Sequence, residues 1–346
     1  MSSDPNAIVE TPTAPHDKAG PATGRFKILI TGMFLPNIDV EIKELADIAD
    51  VVVNLEPSRA ELLELVRDVD AIMLDTTPVD AELLDHAPRL KAVIMYGVGT
   101  DQIDGVAAAE RGVIVSNSPR AFSTDVAEQA IALLFSLTRQ VGPANDDIRN
   151  CQHWDTYGPT YSPIRLRGKT LGLVGLGRIG RETARIASGI GMHVIAYDPY
   201  LDPDRFTSPD DSDIRLCADL PGLLAKSEAV SLHLPLTDGT RGLIGAEELA
   251  QMKPGSYLIN VSRGPLIDQA ALHAALESGH LAGAGLDVLD PEPPNWDDPL
   301  LKSRNLVITP HLGWKSDLSL MEVEMDADAE VRRILLGQAP DFQVNG

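Results

Sequence analysis

The stretch from Leu171 to Ile190 constrains the fold of this chain more than any other. An apolar strand pattern, Leu171–Val174, runs straight into Gly175, Leu176, Gly177, Arg178, Ile179 and Gly180, and a helical pattern, Glu182–Ile190, follows. Each glycine answers a steric demand: a tight turn, close approach of the main chain to a pyrophosphate, and tight packing of helix on strand. The start of the helix presents unpaired N–H groups and a positive dipole end to phosphates. Asp198 stands at the end of the next strand pattern, where a carboxylate accepts both hydroxyls of a ribose and repels a 2′-phosphate. Pro199 and Tyr200 follow it and bring no arginine to accommodate such a phosphate, so the pattern predicts NAD rather than NADP. A glycine-rich turn that merely packs a helix on a strand is the plainer reading. Strand, turn, helix and Asp198 in that order favour the dinucleotide.

On both sides of this turn short apolar runs alternate with helix-like segments, the rhythm of parallel α/β sheets. Strands are expected at Lys27–Ile30, Val51–Asn54, Ala71–Leu74, Ala92–Met95 and Val113–Val115, with helices such as Asp39–Ile48 and Arg59–Val66 between them. A second series is expected at Thr170–Val174, His193–Tyr197, Ala229–Leu232, Tyr257–Asn260, Ala282–Leu286 and Leu306–Ile308, closed by a helix over Ser316–Leu336. A long helix beginning near Asp125 joins the two, with Asp125 as its cap and Glu128 reaching back. Val126, Ala130, Ile131, Leu134 and Leu137 recur on one face of it. With 346 residues, 44% of them hydrophobic, the chain can fill two cores. The expected fold class is α/β, two Rossmann-like domains with parallel sheets. Residues 1–24 read as a disordered leader, 25–122 plus 312–346 as a flavodoxin-like substrate-binding domain, and 123–311 as the NAD-binding domain.

A formal net charge of −22 repels phosphate backbones and anionic lipid, which argues against nucleic-acid and membrane partners. No run approaches the length of a membrane span, and the N-terminus lacks a secretory pattern, so a cytoplasmic location is expected. Cys151 and Cys217 form neither a disulfide framework nor a metal-binding pair and read as packing residues; no metal site is expected.

Three polar residues follow strand patterns of the second series: Arg263 after Leu258–Ser262, Glu292 after Leu286–Pro291, and His311 after Val307–Pro310. Open α/β sheets place ligands at strand carboxyl ends, so the three can converge on one crevice. Singly, each also reads as a surface cation, a turn residue and a histidine satisfied by nearby backbone.

With the glycine turn, His233-Leu-Pro235 with Thr240, Met252-Lys-Pro-Gly with Asn260-Val261-Ser-Arg263-Gly264, Leu286-Asp287-Val with Glu292-Pro293, and Thr309-Pro-His311, the chain from Phe26 onward resembles the D-2-hydroxyacid dehydrogenases. That family includes phosphoglycerate dehydrogenases, glyoxylate reductases and the C-terminal binding proteins. The resemblance implies that Arg263 binds the substrate carboxylate and carbonyl, as suits a planar bidentate cation. It implies that His311 donates the proton during reduction and accepts it during oxidation, with Glu292 as its paired carboxylate. Asp287 matches the residue that holds the nicotinamide carboxamide, while His233, Pro235, Thr240 and Val261, together with Arg263 and His311, match the lining of the cofactor cleft. Tyr96-Gly97-Val98-Gly99 resembles the loop whose backbone N–H groups take the substrate carboxylate; a simple turn is the alternative. The remaining histidines read as surface or packing residues.

A phosphorylated substrate calls for a cation at the outer end of its pocket. Neither Leu74-Asp75-Thr76-Thr77-Pro78 nor Met33-Phe34-Leu35-Pro36 supplies one, which argues against phosphoglycerate. Trp314 stands where phosphoglycerate dehydrogenases have a small residue, and it reads either as a pocket wall favouring an apolar 2-oxo acid or as packing. The expected activity is reversible NAD-dependent interconversion of a 2-oxo acid and its D-2-hydroxy acid, under closure of the two domains. The alternatives are an NAD-responsive binding protein resembling the C-terminal binding proteins and a phosphite- or formate-type dehydrogenase, the formate case being disfavoured by Glu292. The family's habit implies a homodimer through the cofactor domain. The helix near Asp125 fits such an interface or an internal core equally well.

Overall fold

The computed structural model describes residues 24–32, 38–155, 160–201, 206 and 214–346. The segments expected as a leader and as Met33–Pro36 therefore lie almost wholly outside the described residues. The chain divides into two compact units, one made of the described residues up to Ser118 together with Val323–Gly346, the other of Pro119–Glu322.

In the first unit, runs of β-branched and aliphatic residues form β1 (Phe26–Thr31), β2 (Ala49–Val53), β3 (Ala71–Leu74), β4 (Ala92–Met95) and β5 (Ile114–Ser116). They pair in parallel in the order β2-β1-β3-β4-β5, the flavodoxin-like order. β3 and β4 are buried along their whole length, as strands covered on both faces must be. The helices α1 (Asp39–Glu44), α2 (Arg59–Leu65), α3 (Ala81–His86) and α4 (Gly105–Glu110) connect them. Ser58 caps α2 in a reciprocal box with Glu61, and Asp80 and Asp104 cap α3 and α4. Leu62, Val66, Leu83, Leu84 and Ala108 pack with Leu29, Ile72, Leu74 and Val93 as one core. The chain re-enters this unit through the later part of α11 (Ser319–Leu335). There the buried Glu330 accepts the Ser116 hydroxyl at 2.6 Å and the N–H groups of Asp341 and Phe342. Asn345 fastens the outer edge of β5, accepting from Val115 N at 2.9 Å and donating to the Val113 carbonyl at 2.9 Å.

The second unit carries β6 (Thr170–Val174), β7 (His193–Tyr197), β8 (Ile214–Leu216), β9 (Ala229–Leu232), β10 (Ser256–Asn260), β11 (Leu281–Leu286) and β12 (Leu306–Ile308), all parallel, in the order β12-β11-β10-β9-β6-β7-β8. The chain winds outward in opposite directions from β6 and β9, and the space above that reversal is where dinucleotides bind in such sheets. The helices are α5 (Ser123–Arg139), α6 (Val141–Cys151), α7 (Arg178–Gly189), α8 (Leu220–Lys226), α9 (Ala246–Gln251) and α10 (Gln269–Glu277). The α/β class with two parallel sheets is thus as the sequence implies.

Several local expectations are corrected. α5 starts at Ser123 with no side-chain cap, because Phe122 holds the N-cap position and has no oxygen to offer; Asp125 sits in the first turn and does not cap. Its apolar face is core: Gly283 and Gly285 of β11 leave room for Leu133 and Leu137, which a Cβ would meet at 2.9–3.1 Å. α1 ends at Glu44 because the chain must turn through Leu45 to enter β2 at Ala49. β8 was not anticipated. Cys151 is exposed at the end of α6 rather than packed, and Cys217 is partly buried.

Candidate active site and cofactor cradle

The glycine turn shows why it tolerates no side chain where it touches protein and what it offers where it does not. Gly175 adopts φ +92°, and a Cβ there would lie 2.3 Å from the His233 carbonyl oxygen. A Cβ on Gly180 would lie 2.5 Å from the Gly175 carbonyl, so the first turn of α7 is seated on the loop itself. At Gly177, which precedes α7, a Cβ would meet nothing within 4 Å. Bare backbone at the start of a twelve-residue helix therefore faces open space, as a bound pyrophosphate requires. Arg178 and Ile179 open the helix beside it. Asp198, at the end of β7, accepts Leu176 N–H and Tyr200 N–H, each at 3.0 Å, one on each oxygen, which fixes its carboxylate against the turn. Its remaining lone pairs suit a ribose diol. The residues present fit a dinucleotide.

His233 is buried, with Ser231 Oγ 2.9 Å from its Nε2. Burial pushes its pKa down to about 3, so it stays a neutral wall of the cleft and no proton donor near pH 7. Thr240 uses its hydroxyl to close the loop on Pro235, donating to that carbonyl at 2.8 Å and accepting Thr237 N–H at 2.7 Å. Val261 is buried just past β10.

Arg263, Glu292 and His311 follow β10, β11 and β12, three neighbouring strands. Asn260 Nδ2 holds the Arg263 carbonyl at 2.8 Å, and Arg263 returns a bond to the Ser262 carbonyl. Gly264 lies directly on the next loop: a Cβ would stand 2.1 Å from the Leu289 carbonyl, so any side chain there would part the Arg263 loop from the Glu292 loop. Glu292 accepts Leu289 N–H at 2.9 Å on Oε1 and meets His311 Nδ1 at 2.7 Å on Oε2. Burial pushes the Glu292 carboxyl up, but the bond and charge of His311, the Leu289 N–H and the charge of Arg263 together outweigh it and hold the group below its usual range. An ionised Glu292 fixes the proton of His311 on Nδ1 and leaves Nε2 as the exchanging atom.

The profile described as "D-isomer specific 2-hydroxyacid dehydrogenase, NAD binding domain" matches residues 131–313. The chain is 36% identical to the D-3-phosphoglycerate dehydrogenase of Methanocaldococcus jannaschii over 92% of its own length and 59% of that protein's. It is 40% identical to the glyoxylate reductase of Thermofilum pendens over 87% of its own length and 90% of that protein's. The crystal structure of a glyoxylate reductase from Paecilomyes thermophila superposes with a TM-score of 0.84 at 32% identity, covering 92% of this chain and 98% of that one. The chain belongs to the D-isomer specific 2-hydroxyacid dehydrogenase family. The matched residues lie in the second unit, which is the family's NAD-binding domain. The chain spans only slightly more than half the length of the phosphoglycerate dehydrogenases that it matches. Among the described residues no helix is long and apolar enough to cross a membrane.

The expected substrate loop behaves differently from its neighbours. Tyr96 gives its N–H to Leu74 and buries its phenol against Met73 Sδ at 3.8 Å, where burial and nearby carboxylates push its pKa far up. Gly97 and Val98 spend their carbonyls on Ser118 N and Asn117 Nδ2. Tyr96 therefore has no donor left for an anion, and neither Gly97 nor Gly99 takes the positive φ of an anion nest. Trp314 packs edge-on against Phe122, ring centroids 6.1 Å apart and planes at 84°, and stays partly exposed. Asp287 is buried, with both carboxylate oxygens engaged by the turn that carries His311. Sequence reasoning missed Gln129 and the role of Thr309, which meet Asp287 from α5 and from the end of β12. The one available signal was an amide breaking an apolar helical face.

Proposed function

We propose that the protein interconverts a non-phosphorylated 2-oxo acid and its D-2-hydroxy acid, with Arg263, Glu292 and His311 as the catalytic groups. The observation that carries the reading is the His311–Glu292 pair at 2.7 Å, which leaves Nε2 to exchange a proton beside a strand-end arginine. Bound NADH supplies the hydride. Arg263 is assigned to the carboxylate and the carbonyl oxygen, where a guanidinium stabilises charge as it develops on that oxygen. His311 Nε2 delivers the proton to the same oxygen, and Glu292 stabilises the imidazolium that must exist beforehand. In oxidation His311 is the base.

The absence of a cation along Leu74–Pro78 supports a substrate without phosphate. Thr76 Oγ1 is spent on the Gly32 carbonyl at 2.9 Å and Thr77 is buried against Thr31. The near-complete overlap in length with a glyoxylate reductase supports it as well. A panel of 2-oxo acids that includes 3-phosphohydroxypyruvate, run with NADH and NADPH in parallel, tests both substrate class and cofactor. A higher kcat/KM for the phosphorylated substrate would overturn the reading. Trp314 next to the His311 turn is assigned to an apolar substituent. Trp314→Ala should lower kcat/KM for bulky apolar 2-oxo acids relative to glyoxylate, and an unchanged ratio refutes that assignment. A homodimer is proposed through the second unit, supported by α6, which buries none of its residues and leaves Val141 and Ile148 exposed. A cytoplasmic location is proposed as well.

A further inference from the structure

The turn that carries His311 is unusual in its backbone and in how it is held. His311 stands at φ +53°, in the left-handed region that residues with a Cβ seldom occupy. Asp287, 2% exposed, holds the turn in that state. Its Oδ1 accepts Leu312 N–H at 2.9 Å and the Thr309 hydroxyl, its Oδ2 accepts Gly313 N–H at 2.7 Å, and its carbonyl accepts His311 N–H at 2.8 Å. Gln129 completes the arrangement from another element. Its Nε2 donates to Thr309 Oγ1 at 2.8 Å and reaches Asp287 Oδ1 at 3.4 Å. Its stem also underlies the turn, since a Cβ on Gly313 would meet Gln129 Cγ and Cβ at 3.5–3.6 Å.

A threonine hydroxyl has one hydrogen to give. With a Gln129 N–H directed at Oγ1, that hydrogen has a single remaining course, toward Asp287. Without Gln129 the hydroxyl can rotate and Oδ1 loses a donor. We propose that Gln129 is a positioning residue for the catalytic histidine: through Thr309 and Asp287 it locks the left-handed turn that aims His311 at substrate. This rests on the reading of His311 as the proton-transfer group. Gln129 touches neither reacting atoms nor the Glu292–His311 bond, and without it Asp287 still holds the N–H groups of His311, Leu312 and Gly313, so the loss falls on turnover rather than on cofactor affinity.

Gln129→Met keeps the stem and removes both donors. It should lower kcat about tenfold, with the NADH Kd and the KM for the 2-oxo acid within twofold, and it should displace the pH profile of kcat. Thr309→Val should reproduce that loss and Thr309→Ser should restore it. The Gln129→Met, Thr309→Val double variant should be no slower than Thr309→Val alone, because the two act in series. A kcat within twofold of the parent for Gln129→Met, a double variant whose losses multiply, or a loss of turnover accompanied by equal losses in NADH binding and Tm would each overturn the proposal. His311→Gln is the control for the parent reading. If that variant keeps its kcat, both readings fall; if it loses turnover while Gln129→Met does not, only the Gln129 proposal does.

Discussion

Two glycines two residues apart in one turn are subject to opposite constraints. Gly175 is pressed against the His233 carbonyl at a positive φ, whereas Gly177 faces nothing. Gly175→Ala should therefore destabilise the second unit, lowering Tm by several degrees, since a clash with backbone adds to a strained φ. Gly177→Ala should fold with a Tm close to the parent and lose NADH affinity about tenfold or more. Equal behaviour of the two variants in thermal melts would show that the open space at Gly177 has been misjudged. Glu292→Gln removes the charge that favours a protonated His311 but keeps a hydrogen-bond acceptor. It should lower kcat for reduction by roughly 10²-fold, with NADH binding unchanged in a fluorescence titration. The residues of the site that were legible in sequence are those at strand ends, because a run of apolar residues announces where its last polar neighbour must emerge. Gln129 and Asp287 lie 158 positions apart, and their meeting is a product of packing that no local pattern encodes. The inward turn of the Tyr96 phenol is likewise a product of packing, since the sequence shows only a loop.

Among the elements, α1 and α11 carry the most exacting electrostatics. Glu41 of α1 is fully buried, and the carboxylate oxygens of Asp328 of α11 have no hydrogen-bond partner among the described residues. Burial, then the charges of Glu41, Glu324 and Glu44, raise the pKa of Asp328 to about 8, with Arg332 opposing. The folded value lies above the unfolded one, near 4, so the native state holds a proton that the unfolded chain releases between those limits. The stabilisation is complete below pH about 4 and is lost progressively as pH rises to about 8. Asp328→Asn stays neutral throughout. Its Tm should exceed that of the parent by several degrees at pH 8.5 and match it near pH 4.5; a constant difference across that range would exclude a buried titrating carboxyl here. Element boundaries were less legible than element existence. α5 starts behind Phe122, an N-cap that no polar side chain marks, and β8 is three residues at a sheet edge, Ile214-Arg215-Leu216, too short for alternation to register.

For the whole molecule, both sheets are parallel throughout, and parallel strands need helical crossovers between them, which is why the class of fold was readable from rhythm alone. Assembly was not. If the exposed face of α6 mediates a dimer, a Val141→Glu, Ile148→Glu variant should sediment as a monomer where the parent sediments as a dimer, at equal NADH affinity. A parent that sediments as a monomer removes the proposal.

The divided layout of the first unit has a further consequence, which concerns time. Its five strands leave the ribosome early, yet Glu330, which braces Ser116, and Asn345, which seals the outer margin of β5, are translated only after the entire NAD-binding unit. During synthesis the sheet of the first unit is therefore left with an unsealed edge while that of the second unit, continuous in sequence, has all its strands in hand. In the nascent chain the cofactor unit can mature first, and the sheet begun first is finished last.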